Sequence, residues 1–259
     1  MTIYQHFRKH EHPFVDQVLS WKEQVERTFT TYVTDFLDPR EQQIVSSLIG
    51  TTNEDIVFSF FGGADHVERR RAVIAPFYET IKEDDFDITM VEASFPEKFV
   101  TIEHRDILGA FLSLGIDRKK VGDIIVTENR FQIILTRELS SYVMMNLTKV
   151  KNANITLIEN DFQNILIGED EWVERQHTVS SLRLDIIIKE IYRMSRKDAL
   201  HYIKGNRVKV NFTDMDDPAV QLMAGDLIYV RGHGRSKVVN IGGTTRKEKI
   251  RITTARLKT

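Results

Sequence analysis

At 259 residues, 41% hydrophobic and 29% charged, the chain has the size of two domains, or three small ones, and the balance of a globular protein. It has no cysteine, which excludes disulfides and thiolate metal sites and fits a reducing cytoplasm. No apolar run approaches the roughly 20 residues of a membrane span, and the polar stretch Met1 to His12 lacks the apolar core of a signal peptide. The net charge of −2 hides a division: residues 175–259 carry 18 Lys and Arg against 8 Asp and Glu, a balance of +10, and residues 1–174 a balance of −12. Such asymmetry predicts nucleic-acid contact at the basic end, with an acidic body that repels nonspecific RNA. The alternative is chance segregation, or charges that pair across domains.

Residues 1–80 read as a mostly helical domain. Phe14, Val18, Trp21, Val25 and Phe29 recur at helical spacing after Pro13. A second helix is predicted from Pro39 to Ile49, with Asp38 as N-cap and Gly50 as its stop. Ile56 to Phe61 reads as a buried strand ending at Gly62-Gly63. Those glycines with Arg69-Arg70-Arg71 can be drawn as an anion cradle. The Gly-Lys-Ser/Thr of a phosphate-binding loop is missing, so a turn into a surface basic segment is the preferred reading. His6, His10 and His12 fall on no common helical face, and no metal ligand set or cofactor is expected.

Residues 81–170 alternate in the order β-α-β-β-α-β: a strand over 86–94, a helix over 103–114, strands over 123–128 and 131–136, a helix over 138–150 and a strand over 154–159. That is the ferredoxin-like layout also used by RNA-recognition domains. Here Phe131 is the only ring in its strand and the signature of those domains is missing, so layout alone assigns no function. Arg118, Lys119 and Lys120 are candidates for a second phosphate contact, or for a solvated loop; His104 and Asp106 are read as helix capping.

Residues 170–181 are expected to be a linker, and 182–259 a third domain with a basic tail. Ser195 stands at an N-cap position, with Asp198 three residues on. Ala199, Leu200 and Ile203 would face inward, and Arg196, Lys197 and Lys204 outward. Gly205 is placed to end the helix at positive φ. Val208 and Val210 alternate with Arg207 and Lys209, which predicts a strand with one buried and one cationic face. Further on, residues 237–240 and 249–252 can pair as a hairpin around Gly242-Gly243. The basic end that follows, Arg246 and Lys247 included, is either a solvated tail or an ordered extension.

The stretch Arg183-Leu184-Asp185, Ser195-Arg196, Ala199, Ile203, Gly205, Val208, Val210-Asn211 and Gly225-Asp226 resembles the S4 RNA-binding domain. One departure is Phe212, where that family usually has glycine, and a remodelled turn is expected there. With Gly62-Gly63, residues 68–72, 104–109, 114–115 and 122–124 added, nearly the whole chain resembles the YlmH family of bacterial S4-domain proteins. The resemblance implies an α+β protein with a helical N-terminal part, a ferredoxin-like centre and a C-terminal S4 domain. It also implies a cytoplasmic, non-catalytic factor on the large ribosomal subunit that contacts ribosomal RNA and tRNA in the rescue of stalled nascent chains, with no membrane and no small-molecule substrate. The residues expected to meet RNA are Arg183, Ser195, Arg196, Lys197, Lys204, Arg207, Lys209 and Lys237. A rival reading is an RNA-modifying enzyme of the pseudouridine synthase kind, because those enzymes often carry S4 domains; their catalytic Asp also lies in an Arg-Leu-Asp setting, but here Arg183-Leu184-Asp185 already begins the S4-like helix and the S4 unit is C-terminal rather than first. A third is a protein-docking role for the acidic N-terminal part.

Overall fold

A computed structural model describes residues 3–50, 55–96, 100–168, 171–245 and 248–258; Arg246 and Lys247 of the expected basic tail lie outside the described residues. The chain divides into two compact units, 1–169 and 170–259.

In the first unit, helix α1 (His12–Thr28) buries Val15, Val18, Trp21 and Val25. Phe29, expected to close that stripe, is instead 64% exposed. It is the residue that ends the helix at φ +52, one step past the last helical turn. Helix α2 (Pro39–Ile49) matches its sequence signals. The Asp38 carboxylate accepts from the Glu41 amide at 2.8 Å, and the Glu41 carboxylate accepts from the Asp38 amide at 2.7 Å. Gly50 ends it at φ +76.

Both helices belong with an antiparallel sheet of β1 (Tyr32–Val33), β3 (Arg71–Pro76) and β2 (Ile56–Phe61), in the order β1-β3-β2. Helices still hold most of the regular structure in this segment, and the sheet adds β1 and β3 to the one expected strand. Central strand β3 is buried at every residue, so its short apolar run shows neither a helical nor an alternating period. The two glycines before it serve different needs. A Cβ on Gly62 would stand 2.4 Å from the Arg69 carbonyl oxygen, and Gly63 sits at φ +102 with the Phe162 ring 2.6 Å from where its Cβ would be.

The rest of this unit runs β4 (Ile88–Ser94), α3 (His104–Leu112), β5 (Val121–Val126), β6 (Arg130–Thr136), α4 (Ser140–Asn146), a short hairpin of β7 (Lys149–Val150) and β8 (Ala153–Asn154), and β9 (Ile158–Asn160). The sheet order is β5-β6-β4-β9, antiparallel throughout. Phe131, Ile133 and Leu135 point to the side of α3 and α4 and join Ile107, Phe111 and Val143 in one core. Alternation sends Ile134 the other way. With Ile88 and Met90 it packs on Phe36, Val67 and Val73 of the first 80 residues. This second core explains why no break between compact units falls at residue 80.

In the second unit a six-stranded antiparallel sheet is ordered β10-β15-β14-β13-β11-β12. The strands are β10 (Trp172–Val179), β11 (Val208–Val210), β12 (Thr213–Asp214), β13 (Leu227–Val230), β14 (Gly234–Thr244) and β15 (Ile250–Leu257). The expected linker is corrected: β10 pairs with β15 residue for residue, from Trp172 opposite Leu257 to Val179 opposite Ile250. The basic end is thus a strand, not a solvated tail. Helices α5 (Leu184–Tyr192) and α6 (Arg196–Lys204) cover one face. Leu184, Ile187, Ile188, Ala199 and Ile203 pack on Val208, Val210, Ile228, Val230 and Val238.

Two turns differ from expectation. Gly205 takes φ −84, and the left-handed residue is Asn206 at φ +52. Glycine fits at 205 for space, since a Cβ there would lie 3.0 Å from the His201 carbonyl oxygen. At the β11–β12 hairpin, Asn211 (φ +48) and Phe212 (φ +66) are both left-handed, the geometry of a two-residue type I′ turn. The turn is kept rather than remodelled, and Phe212 carries a strain of about 1–2 kcal/mol that glycine would not.

Candidate RNA interface

The eight sequence-predicted residues all lie in the second unit, but not on one surface. Lys197 and Lys204 are exposed on α6, with exposed His201 between them. At 100° per residue the three share a stripe facing away from Ala199 and Ile203, and the two ammonium stems are separated by about 10 Å of helix rise. Arg207 is exposed just past the helix, with its Nε 3.8 Å from the point a Gly205 Cβ would occupy. Among the described residues, none bonds or pairs with the side chains of Lys197, Lys204 or Arg207. An open cationic row of this kind suits phosphate oxygens.

Arg183 and Arg196 do something different. Both converge on Asp185, whose side chain is fully buried. Arg183 Nε donates to Oδ1 at 3.0 Å, and Arg196 Nε donates to Oδ2 at 2.9 Å. Burial pushes the Asp185 carboxyl up, but the hydrogen bonds and charges of the two guanidinium groups outweigh it and hold the group below the ordinary carboxylate range. The Asp of the Arg-Leu-Asp triplet is therefore a structural anion that ties the start of α5 to the start of α6. It is shut off from solvent, as suits the start of a packed helix rather than a catalytic carboxylate. Arg196 remains 59% exposed, so its other N–H groups can still reach a phosphate.

Ser195 caps α6 as its spacing predicts. Its Oγ accepts from the Asp198 amide at 3.1 Å and donates to the Asp198 carboxylate at 2.7 Å. That carboxylate occupies the helix N-terminus, where an incoming phosphate would otherwise be drawn.

Lys209 and Lys237 lie elsewhere. Strand alternation sets Lys209 opposite to buried Val208 and Val210, on the sheet face away from α5 and α6. Lys237 alternates with buried Ser236 and Val238, and its Nζ stands 4.4 Å from the centre of the Trp172 ring. The eight residues thus divide among a helical stripe, a clasp on the buried Asp185 carboxylate and a separate sheet face. Sequence reasoning passed over His201, although it sits four residues after Lys197. It also passed over Arg235, which shares the face of Lys237 two residues away.

The basic segments of the first unit turn out to be internal braces. Arg71 is buried, with Nε donating to the Thr34 carbonyl at 2.6 Å and Nη1 to those of Phe86 and Asp87 at 2.8 and 2.9 Å. This overturns the surface reading of 69–71. Asp123 accepts from the amides of Glu68 and Arg69 at 2.7 and 3.1 Å. Arg118 donates to the Val121 and Gly122 carbonyls; burial, with Arg69 nearby, lowers its pKa to about 10, opposed by Asp123. Lys120 pairs with Asp35 and Glu138, both at 2.9 Å, and of the three only Lys119 is exposed. Asp106 caps α3 and pairs with Lys151 at 2.7 Å. Among the described residues, no three His, Asp or Glu side chains are grouped to hold a metal.

A family model described as "Putative RNA-binding domain in YlmH" matches residues 82–164. A protein of Bacillus subtilis (strain 168) named ribosome-associated protein quality control protein P2 is 39% identical over 256 residues, 99% of each chain. The chain belongs to the YlmH family. Among solved structures, the cell division protein ylmH from Streptococcus pneumoniae matches at a TM-score of 0.55 and 30% identity, covering 64% of this chain and 100% of that one. Within the span that the family model matches, one sheet face carries α3 and α4 and the other is closed by Phe36, Val67 and Val73. The face on which RNA-recognition domains stack bases is therefore buried here. No helix of the structure is long and apolar enough to cross a membrane, searched over the described residues.

Proposed function

We propose that this protein is a non-catalytic RNA-binding factor of the ribosome. It takes part in quality control of stalled nascent chains and contacts large-subunit ribosomal RNA and tRNA through its C-terminal, S4-like unit. In this reading the central part is a ferredoxin-like domain, and the site of action is the cytoplasm. The observation that carries the proposal is the open row of Lys197, His201 and Lys204 on α6, with Arg207 exposed just past its end, in a segment of net charge +10. The name of the Bacillus subtilis relative supports the ribosomal setting. Shape and backbone supply selectivity, because A-form grooves expose little sequence to side chains. Arg183 and Ser195 fix the geometry of α5 and α6, and Arg196 combines that task with phosphate contact.

Crosslinking in cells followed by sequencing of the attached RNA tests this reading. Large-subunit ribosomal RNA and tRNA should be enriched with the parent protein and lost when Lys197, Lys204 and Arg207 are replaced by Ala. Equal recovery of messenger and ribosomal RNA, or no enrichment at all, would overturn it.

A further inference from the structure

On the sheet of the second unit, the face away from the helices carries its own constellation. Lys209, Tyr229 and Arg235 stand opposite one another on β11, β13 and β14, so their side chains form one row across three strands. The same strands place Leu227 opposite Lys237 one step along. Phe212 leans in from the β11–β12 turn, and with Lys209, Leu227, Tyr229 and Arg235 it lines a shallow cavity of about 170 Å³. That is below the roughly 300–1,000 Å³ of a drug-sized ligand site, and suits a single flat ring. Tyr229 is 40% exposed. Trp172, under the Lys237 ammonium, extends the row toward β10.

Two features point to a ligand that is both aromatic and anionic. Ring faces alternate with cations along the row, and a cation beside a ring serves a phosphate next to a stacked base. Phe212, moreover, holds an aromatic side chain at φ +66, where side-chain-bearing residues are rarely found. Strain of this kind persists where the position serves something other than folding. Asp214 stands 3.8 Å from Lys209.

We infer that this open sheet face is a second RNA site that takes an unpaired, single-stranded segment, stacking a base against Phe212 and Tyr229 while Lys209, Arg235 and Lys237 hold its phosphates. The inference rests on the proposed RNA-binding role and adds to it. The α6 stripe grips backbone of folded RNA, and the sheet face reads unstacked bases beside it.

The test uses the full chain, a ten-nucleotide oligoadenylate RNA and a blunt RNA duplex of the same length, with binding followed by fluorescence anisotropy at low salt. Tyr229→Ala and Phe212→Gly should each weaken single-strand binding about 5- to 100-fold, the range expected for one lost stack, and leave the duplex within twofold. Phe212→Gly should also leave Tm no lower than the parent's, because glycine relieves the left-handed turn; its binding loss then cannot be unfolding. Unchanged single-strand binding in both variants, or equal losses on duplex and single strand, would overturn the inference. If Lys197→Ala/Lys204→Ala loses the duplex while the ring variants bind the single strand as the parent does, the sheet site falls and the α6 reading stands. A parent that binds neither probe removes both.

Discussion

Asp185→Asn is the sharpest perturbation of the C-terminal unit. The substitution keeps the shape of a fully buried side chain and removes the one anion that receives Arg183 and Arg196. Breaking a buried ion pair from one side costs about 3–5 kcal/mol. Here the guanidinium partners are 33% and 59% exposed and can recover water, so the loss reduces to about 2–3 kcal/mol. For a unit of this size that is a fall in Tm of roughly 10 °C or more. Thermal unfolding by circular dichroism gives the shift. Hydrogen exchange on peptides from 184–204 should place the loss in α5 and α6. The pH dependence carries a sign. A carboxyl held below its unfolded value of about 3.9 contributes fully above that pH, and the contribution fades as pH falls through the folded value. The gap between parent and variant should therefore be full at pH 7 and close below about pH 4. A Tm within 1–2 °C of the parent at pH 7, or a gap that widens in acid, would refute the clasp.

Three further outcomes follow from other parts of the molecule. Asp123→Ala removes two charge-assisted bonds to the amides of Glu68 and Arg69 and unbalances Arg118; it should cost about 3 kcal/mol, read as a fall in Tm with weakened protection around 62–71. Gly63→Ala meets both a positive φ and the Phe162 ring, and should destabilise the first unit by about 2 kcal/mol or more in urea titration, whereas Gly243→Ala, in open space, should be within about 0.5 kcal/mol of the parent. Burial, helped by Arg175 and Arg193 and opposed by Glu190, lowers the His177 pKa, and its buried Nε2 has no hydrogen-bond partner among the described residues. The unfolded chain therefore takes up that proton first, and stability present above about pH 6.5 is lost as pH falls below it. His177→Gln should lose less Tm between pH 7.5 and 5.5 than the parent; equal losses would contradict the assignment.

Local signals in the sequence carried far. Asp38, Pro39 and Gly50 marked both ends of α2, and Ser195 with Asp198 the start of α6, because caps and helical periodicity act within a few residues. What escaped needed distant partners. The pairing of β10 with β15 joins segments more than 70 residues apart, so 170–181 looked like a linker. The Val73–Ile134 core spans two segments that each look complete alone. Arg196 lies 11 residues from Asp185, and only the packing of α5 on α6 brings two cations onto one buried carboxylate. The split of the cations into stripe and sheet face was within reach, since Val208 and Val210 already assign Lys209 to the opposite side. It was missed because charge was counted along the chain and not by face.

Salt dependence of RNA binding tests the α6 stripe most directly. Binding of the full chain to large-subunit ribosomal RNA should weaken linearly on a log–log plot, at about −0.7 to −0.9 per phosphate contact. The Lys197→Ala/Lys204→Ala/Arg207→Ala variant should flatten the slope by about 2–3 units with Tm unchanged. A slope identical to the parent's would mean that these three cations do not touch the RNA.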